Sequence, residues 1–85
     1  MLNPVNLEAF SNRSFCYMKL GKPKNAIADA EECIKIDKEN TEGWIRKAGG
    51  HSLQKDYPNA IDACHKALTL DPTNEEIKAS LENAI

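Results

Sequence analysis

Polar and apolar positions in the first part of the chain alternate with the period of an α-helix. Between Leu7 and Leu20, side chains that suit a buried face recur at steps of four, three and four residues. The members of this face are Phe10, Ser14, Tyr17 and Gly21. Gly21 also suits the C-cap of a helix, and Pro23 suits the first turn of the next one. The pattern therefore predicts one helix over residues 7–20, followed by a tight turn.

Three further helices and a closing helix follow from the same signals. The second helix is predicted over residues 23–36, the third from Thr41 to about Gln54, and the fourth over residues 58–70. The inner stripe of the second helix consists of Ala26, Ile27, Ala30, Cys33 and Ile34. A last helix is predicted after Thr73, which has capping-box spacing to Glu76, and it would bury Ile77, Leu81 and Ile85. The chain is therefore predicted to be all-α, with five helices.

The chain contains an internal repeat of 34 residues. Residues 7–40 and 41–74 share six identical positions, where average residue usage predicts roughly two. The identities are Glu8/Glu42, Asn25/Asn59, Ala26/Ala60, Ile27/Ile61, Asp37/Asp71 and Asn40/Asn74. The opening stretch LNPVN also matches LDPTN at residues 70–74, at twice the same offset. Such a period is typical of tandem helix pairs that bury their apolar stripes by stacking on their neighbours.

The repeat defines a predicted domain organisation for the single fragment of residues 1–85. Residues 2–6 are read as the tail of a preceding repeat, 7–40 and 41–74 as two full repeats, and 75–85 as a C-terminal capping helix. The chain is then a piece of a longer array, although a natural start with an N-terminal cap is the alternative. In the first reading the outer face of the first helix pair is exposed, which would permit self-association.

Composition restricts the possible functions. The net charge of −2 gives no basic face for nucleic acid, and the apolar runs are too short for a membrane span. Three cysteines without CxxC spacing indicate neither a disulfide framework nor a zinc site, so a cytoplasmic location is expected. Cys64 and His65 are sequence neighbours that point about 100° apart on a helix, which argues against a catalytic pair. We predict no enzyme activity and no cofactor.

The repeat resembles the tetratricopeptide repeat (TPR). The matching features are the aromatic residues Phe10 and Trp44, the small residues Ser14 and Ala48, Tyr17, the two NAI stretches at 25–27 and 59–61, the small residues Cys33 and Ala67, and LDP at 70–72. Three positions depart from the family pattern, where His51 replaces a tyrosine, Lys55 a turn glycine and Lys38 a proline. Residues 10–21, 26–34 and 43–48 are most similar to the later repeats of Hsp-organising (Hop-type) co-chaperones. A TPR superhelix is the fold that this resemblance implies.

The resemblance also implies a function and candidate site residues. In Hop-type domains the first helices of three repeats line a concave groove that clamps the acidic C-terminal tails of heat-shock chaperones. Asn12 and Arg46 match the asparagine and arginine that these clamps carry in their second and third repeats. Glu42 departs from the pattern, because the clamps have a lysine there, and its spacing to Arg46 favours a pair within the helix. The other clamp residues belong to a repeat that this chain lacks, so weak or absent tail binding is predicted.

Other side chains are expected on the same groove. The candidates are Phe15, Lys19, Ile45 and Gly49, with Glu8, Ser11, Met18 and Leu53 beside them. Phe15, Met18 and Ile45 could hold an apolar side chain of a peptide or could instead pack on other repeats. Gly49 and Gly50 weaken their helix, and they indicate either the close approach of a ligand or a neighbouring helix or a soft segment. With no bulky residue expected opposite them, we predict the soft segment. A TPR scaffold that assembles another complex without binding chaperone tails is the alternative function, and Glu42 favours it.

Overall fold

Four α-helices follow one another in a computed structural model, which describes residues 4–75 and 77–79. They are α1 (Pro4–Lys19), α2 (Pro23–Ile36), α3 (Thr41–Leu53) and α4 (Tyr57–Leu70). The backbone is helical again at residues 75 and 77–79, where the closing helix was predicted to begin. The all-α prediction with five sequentially packed antiparallel helices is confirmed. Leu81 and Ile85, which were predicted to be buried by the closing helix, lie outside the described residues.

The first helix begins three residues earlier than the sequence pattern predicted. Its first residue is Pro4, so Asn6 lies inside α1 and not in a linker. A proline has a fixed φ and no N–H, and both properties are compatible with the first turn of a helix. The LNPVN stretch was interpreted as the end of a repeat, but its residues 4–6 start the next helix.

The two later asparagines of the repeat do cap helices. The Oδ1 of Asn40 accepts a hydrogen bond from the Gly43 N–H at 2.9 Å, and the Oδ1 of Asn74 accepts one from the Ile77 N–H at 3.1 Å. Asn74, and not the predicted Thr73, is therefore the N-cap of the closing helix. Asn40 and Asn74 lie 34 residues apart, so the connectors before α3 and the closing helix end in the same way.

Each helix packs on the next, and small side chains form these contacts. Ala26, Ala30 and Cys33 of α2 and Ala60 and Ala67 of α4 are fully buried. Small residues at a helix crossing let the axes approach closely. Helix α1 also contacts α3, whereas α2 and α4 make no contact with each other within the described part of the chain. Helices α1 and α3 therefore line one side of the molecule together.

A hydrophobic cluster closes the second repeat. Its buried members are Ala48, Ala63, Cys64, Ala67 and Ile77, and Trp44, Ile45 and Leu68 pack against it. Ser14 takes the place of Ala48 in the first repeat, where its hydroxyl donates a 2.7 Å hydrogen bond to the Ala26 carbonyl. The predictions that Cys33, Cys64 and Ile77 are buried are confirmed.

The turns inside the two helix pairs have the same geometry despite different sequences. Gly21 and Lys55, which are 34 residues apart, adopt φ values of 72° and 61°. In both turns the next N–H bonds a carbonyl five residues back, from Lys22 to Tyr17 at 2.8 Å and from Asp56 to His51 at 2.9 Å. This left-handed cap favours glycine, so Lys55 keeps the turn in a conformation that is strained for its side chain.

Candidate functional site

Phe15 of α1 lies beside α3. Its side chain is exposed, and the guanidinium of Arg46 from α3 lies 4.8 Å from the ring centroid. The Lys19 ammonium, one turn further along α1, lies 5.1 Å from the same ring. We call the surface formed by Asn12, Phe15, Lys19, Glu42 and Arg46 the α1/α3 groove. An aromatic ring beside two cations is stabilised by cation–π attraction.

Arg46 is the most constrained charged group of the α1/α3 groove. Its Nη2 lies 3.0 Å from the Glu42 Oε2 one helical turn earlier, as the spacing of the two residues predicted. Only 18% of the Arg46 side chain is exposed, and its buried Nε has no hydrogen-bond partner among the described atoms. Half of the Glu42 side chain faces solvent. Arg46 is therefore held between the Phe15 ring and Glu42, with its Nε buried and without a partner among the described atoms.

Asn12 lies on the exposed surface of α1, one turn before Phe15. Of the additional groove candidates, Glu8 and Leu53 are also exposed. Ser11 is buried, with only 6% of its surface accessible. The prediction that it lies on the groove was therefore wrong. Ile45 is half-buried and packs against the hydrophobic cluster between α3 and α4, which turns part of its side chain away from the groove.

Gly49 and Gly50 of α3 face bulky side chains, contrary to the prediction. A methyl group added at Gly49 would lie 2.7 Å from the Met18 Sδ, and one added at Gly50 would lie 2.5 Å from the Ile27 Cγ1. Neighbouring helices therefore approach the α3 backbone at both positions. The expectation of a soft segment rested on empty space opposite these glycines, and that premise was wrong.

The contacts around the Phe15 ring were not predicted from the sequence. The spacing of Phe15 and Lys19, four residues apart on one helix, could have indicated that pair. The contact between Phe15 and Arg46 joins two helices, and only their relative placement reveals it. Together these groups provide an apolar surface with two cations and one carboxylate at its edge. This chemistry suits a peptide that carries both carboxylates and aliphatic side chains.

Other kinds of site find little support in the described part of the chain. Residues 4–75 and 77–79 contain no group of three His, Cys, Asp or Glu side chains arranged to hold a metal ion. None of the helices described is both long and apolar enough to span a bilayer. Burial raises the pKa of the Cys33 and Cys64 thiols, which makes them poor nucleophiles.

Comparison with known proteins identifies the family. A profile described as "Tetratricopeptide repeat" matches residues 7–40. The chain is also 36% identical over 83 residues to Hsp70-Hsp90 organizing protein 2 of Arabidopsis thaliana. The chain belongs to the tetratricopeptide repeat family. This TPR domain is homologous to the organizing proteins over nearly its whole length, with 98% of the chain aligned, but it spans only 14% of that relative.

Solved TPR structures have the same fold. The chain superposes on the TPR2AB domain of yeast Sti1, described as a complex with pHSP90, with a TM-score of 0.92 and 25% identity, covering 98% of this chain and 32% of that one. The first TPR of Spaghetti (RPAP3), bound to the HSP90 peptide SRMEEVD, gives a TM-score of 0.89 and 22% identity, covering 96% and 65%. These likenesses show that the chain has the fold of a TPR domain.

Proposed function

We propose that this TPR domain is the peptide-binding part of a cytoplasmic chaperone adaptor, and that its α1/α3 groove receives the acidic C-terminal tail of a heat-shock chaperone. The observation that carries the proposal is the placement of Arg46, whose guanidinium lies 4.8 Å from the centroid of the exposed Phe15 ring. The homologous organizing proteins and the RPAP3 domain with its EEVD-ended peptide support the choice of ligand.

The chemistry of the groove matches such a tail. A C-terminal segment of EEVD type carries several carboxylates around one aliphatic side chain. Arg46 can bond both oxygens of a carboxylate with its planar fork, and Lys19 adds a second cation beside the Phe15 ring. Asn12 can donate its amide from the exposed face of α1. The Phe15 ring offers apolar contact to the aliphatic residue.

Glu42 opposes this function and sets the expected affinity. Its carboxylate already pairs with Arg46. It would also lie close to the carboxylates of the tail, and like charges brought together at an interface cost several kcal/mol. An acidic tail must therefore displace or tolerate Glu42. We expect a dissociation constant of roughly tens of micromolar or weaker for this 85-residue chain.

NMR titration with the peptide SRMEEVD tests the proposal on the complete chain. Amide shifts should concentrate on α1 and α3, and they should shrink when the peptide carries a C-terminal amide. Arg46→Gln should abolish them. Lys47→Gln is the matched control, since Lys47 is adjacent in sequence but pairs with Glu31 of α2 at 3.5 Å. Shifts that are absent at millimolar peptide, or unaffected by Arg46→Gln, would contradict the function.

The alternative function is a TPR scaffold that binds no chaperone tail. The pairing of Glu42 with Arg46 favours it, because the pair neutralises the arginine that a tail would need. The two functions separate in the Glu42→Lys variant, with Glu42→Gln as a charge-neutral comparison. If the affinity for the tail rises from the wild type to Glu42→Gln and rises again in Glu42→Lys, the tail-binding function is supported. If neither variant gains affinity, the scaffold function is supported.

Self-association through the outer face of α1 remains a further proposal. Asn6, Ala9, Phe10 and Arg13 border a shallow depression of about 320 Å³ on that face. A second copy could cover it, because Phe10 is only half-buried. Sedimentation equilibrium should then reveal a dimer that Phe10→Ser weakens, and a strictly monomeric chain at high concentration would refute the idea.

A further inference from the structure

A separate cleft opens where α2 and α4 diverge. It lies between the C-terminal ends of these two helices and the beginning of α3, and it encloses about 370 Å³. Its lining consists of Ile34, Lys38, Trp44, Lys66, Thr69 and Leu70. None of these residues belongs to the α1/α3 groove, so the cleft is a second and independent surface of the domain.

The floor of the cleft is apolar and its main wall is fixed. Ile34 and Trp44 are half-buried, and Leu70 is exposed. The indole Nε1 of Trp44 donates a 3.0 Å hydrogen bond to the Lys38 carbonyl, which holds the ring against the connector between α2 and α3. A preformed aromatic wall can bind an apolar side chain at a low cost in conformational entropy.

The rim of the cleft is positively charged, although the whole chain is negative. Lys38 and Lys66 form no ion pair among the described side chains. The repeat explains the excess charge, because Lys66 and Thr69 of α4 correspond to Glu32 and Lys35 of α2. Glu32 and Lys35 pair with each other at 3.4 Å. Where the first repeat has this neutral pair, the second repeat has a lysine and a threonine, and Lys66 pairs with none of the described side chains.

We propose that this cleft binds an internal acidic segment of a partner protein through one aromatic or branched aliphatic side chain. The apolar floor takes the side chain, and the two lysines take aspartate or glutamate residues on either side of it. The volume suits one or two large side chains. Recognition needs no free C-terminal carboxylate, which distinguishes this surface from the α1/α3 groove.

Trp44 makes the proposal directly measurable, because it is the single tryptophan of the chain. The probe is the blocked peptide Ac-EELFEE-NH2, which has no terminal carboxylate. It should produce a saturable change in tryptophan emission that weakens with added salt. The variant Lys38→Glu/Lys66→Glu should bind it at least roughly tenfold more weakly. Both side chains are exposed, and circular dichroism checks that the variant folds.

Matched controls separate the cleft from general charge effects and from the groove. Lys22→Glu/Lys24→Glu makes the same charge change at exposed positions near the start of α2 and should leave binding unchanged. Arg46→Gln should also leave it unchanged, so this test can succeed or fail independently of tail binding. Equal binding of Ac-KKLFKK-NH2, or an unaffected Lys38→Glu/Lys66→Glu variant, would overturn the proposal. If tryptophan emission changed with protein concentration and not with peptide, a second copy of the chain would occupy the cleft. That result would also overturn the proposal.

Discussion

Arg13 of α1 holds the buried carboxylate of Asp29 of α2 through two parallel hydrogen bonds. Its Nε lies 2.7 Å from Oδ2 and its Nη2 lies 2.8 Å from Oδ1. The arginine itself is mostly exposed and also lies over the rings of Phe10 and Tyr17, at 5.6 and 5.9 Å from their centroids. The hydrogen bonds and the charge of Asp29 raise the pKa of Arg13, so the pair persists at alkaline pH. This contact joins the two helices of the first repeat.

Arg13 is exposed and Asp29 is buried, so removing one or the other should lower the stability of the domain by different amounts. Arg13→Ala should lower the thermal midpoint more than Asp29→Ala, because it leaves a buried carboxylate without a partner. Asp29→Ala leaves only an exposed arginine, which water can solvate. Lys35→Ala, which breaks an exposed pair with Glu32, is the control and should cost no more than about 0.5 kcal/mol. A larger loss for Asp29→Ala than for Arg13→Ala would disprove this account.

Lys55→Gly should stabilise the domain by about 1 kcal/mol, because a side chain in the left-handed region is strained and glycine is not. Urea denaturation measures the change. Gln54→Gly is the matched control, since Gln54 has an ordinary φ of −79° and should gain nothing. The hypothesis fails if the two variants shift the midpoint equally.

The glycines of α3 should respond differently to alanine. Gly50→Ala should destabilise the domain by about 1–3 kcal/mol, since the new methyl group meets the Ile27 Cγ1 close to the α2 backbone. Gly49→Ala meets only the flexible end of Met18 and should stabilise by up to about 1 kcal/mol through helix propensity. Thermal melts of both variants check the order. In a double-mutant cycle, Gly50→Ala should cost less in an Ile27→Ala background than in the wild type, and an equal cost would argue against a steric cause.

The three cysteines should differ in reactivity. Cys16 is exposed, whereas Cys33 and Cys64 are buried, so an aromatic disulfide reagent should modify one thiol quickly in the folded domain and three after denaturation. Rapid modification of two or more thiols in the native protein would contradict the described packing.

Burial of the same two thiols also predicts a pH dependence of stability. Burial raises the pKa of Cys33 and Cys64 above the ordinary value, so the folded state retains protons that the unfolded state loses. The contribution to stability is complete below the ordinary thiol pKa and is lost as the pH rises above it. Wild-type stability should therefore fall more steeply above about pH 8.5 than that of the Cys33→Ala/Cys64→Ala variant. Parallel pH profiles of the two proteins would refute this.

The helices could be predicted from the sequence because each is bounded by a local signal. The limits of α2 follow from Pro23 at its start and the end of the apolar stripe at Ile36, and the structure gives the same limits. The start of α1 could not be predicted in the same way, because proline is compatible with both the end of one helix and the first turn of the next. The two turns keep the same backbone conformation although Lys55 stands where the first repeat has Gly21.

The candidate site was predictable only as far as its contacts lie within one helix. The pair of Glu42 and Arg46 follows from their spacing. The contact of Arg46 with Phe15 depends on how α3 is placed beside α1, which no local pattern reveals. Ser11 was assigned to the wrong face because a helix in a repeat array has neighbours on more than one side, so a simple division into buried and open faces fails.

The duplicated asparagine caps at Asn40 and Asn74 have a consequence for how this domain can evolve. They occur at a spacing of one repeat, and the left-handed turns at residues 21 and 55 share that spacing. One residue inserted within a helix would rotate the later side chains of that helix by about 100° around its axis. Exposed amino acids can therefore diverge along these helices, whereas a change of helix length scrambles the binding walls and the gain or loss of an entire 34-residue module preserves them.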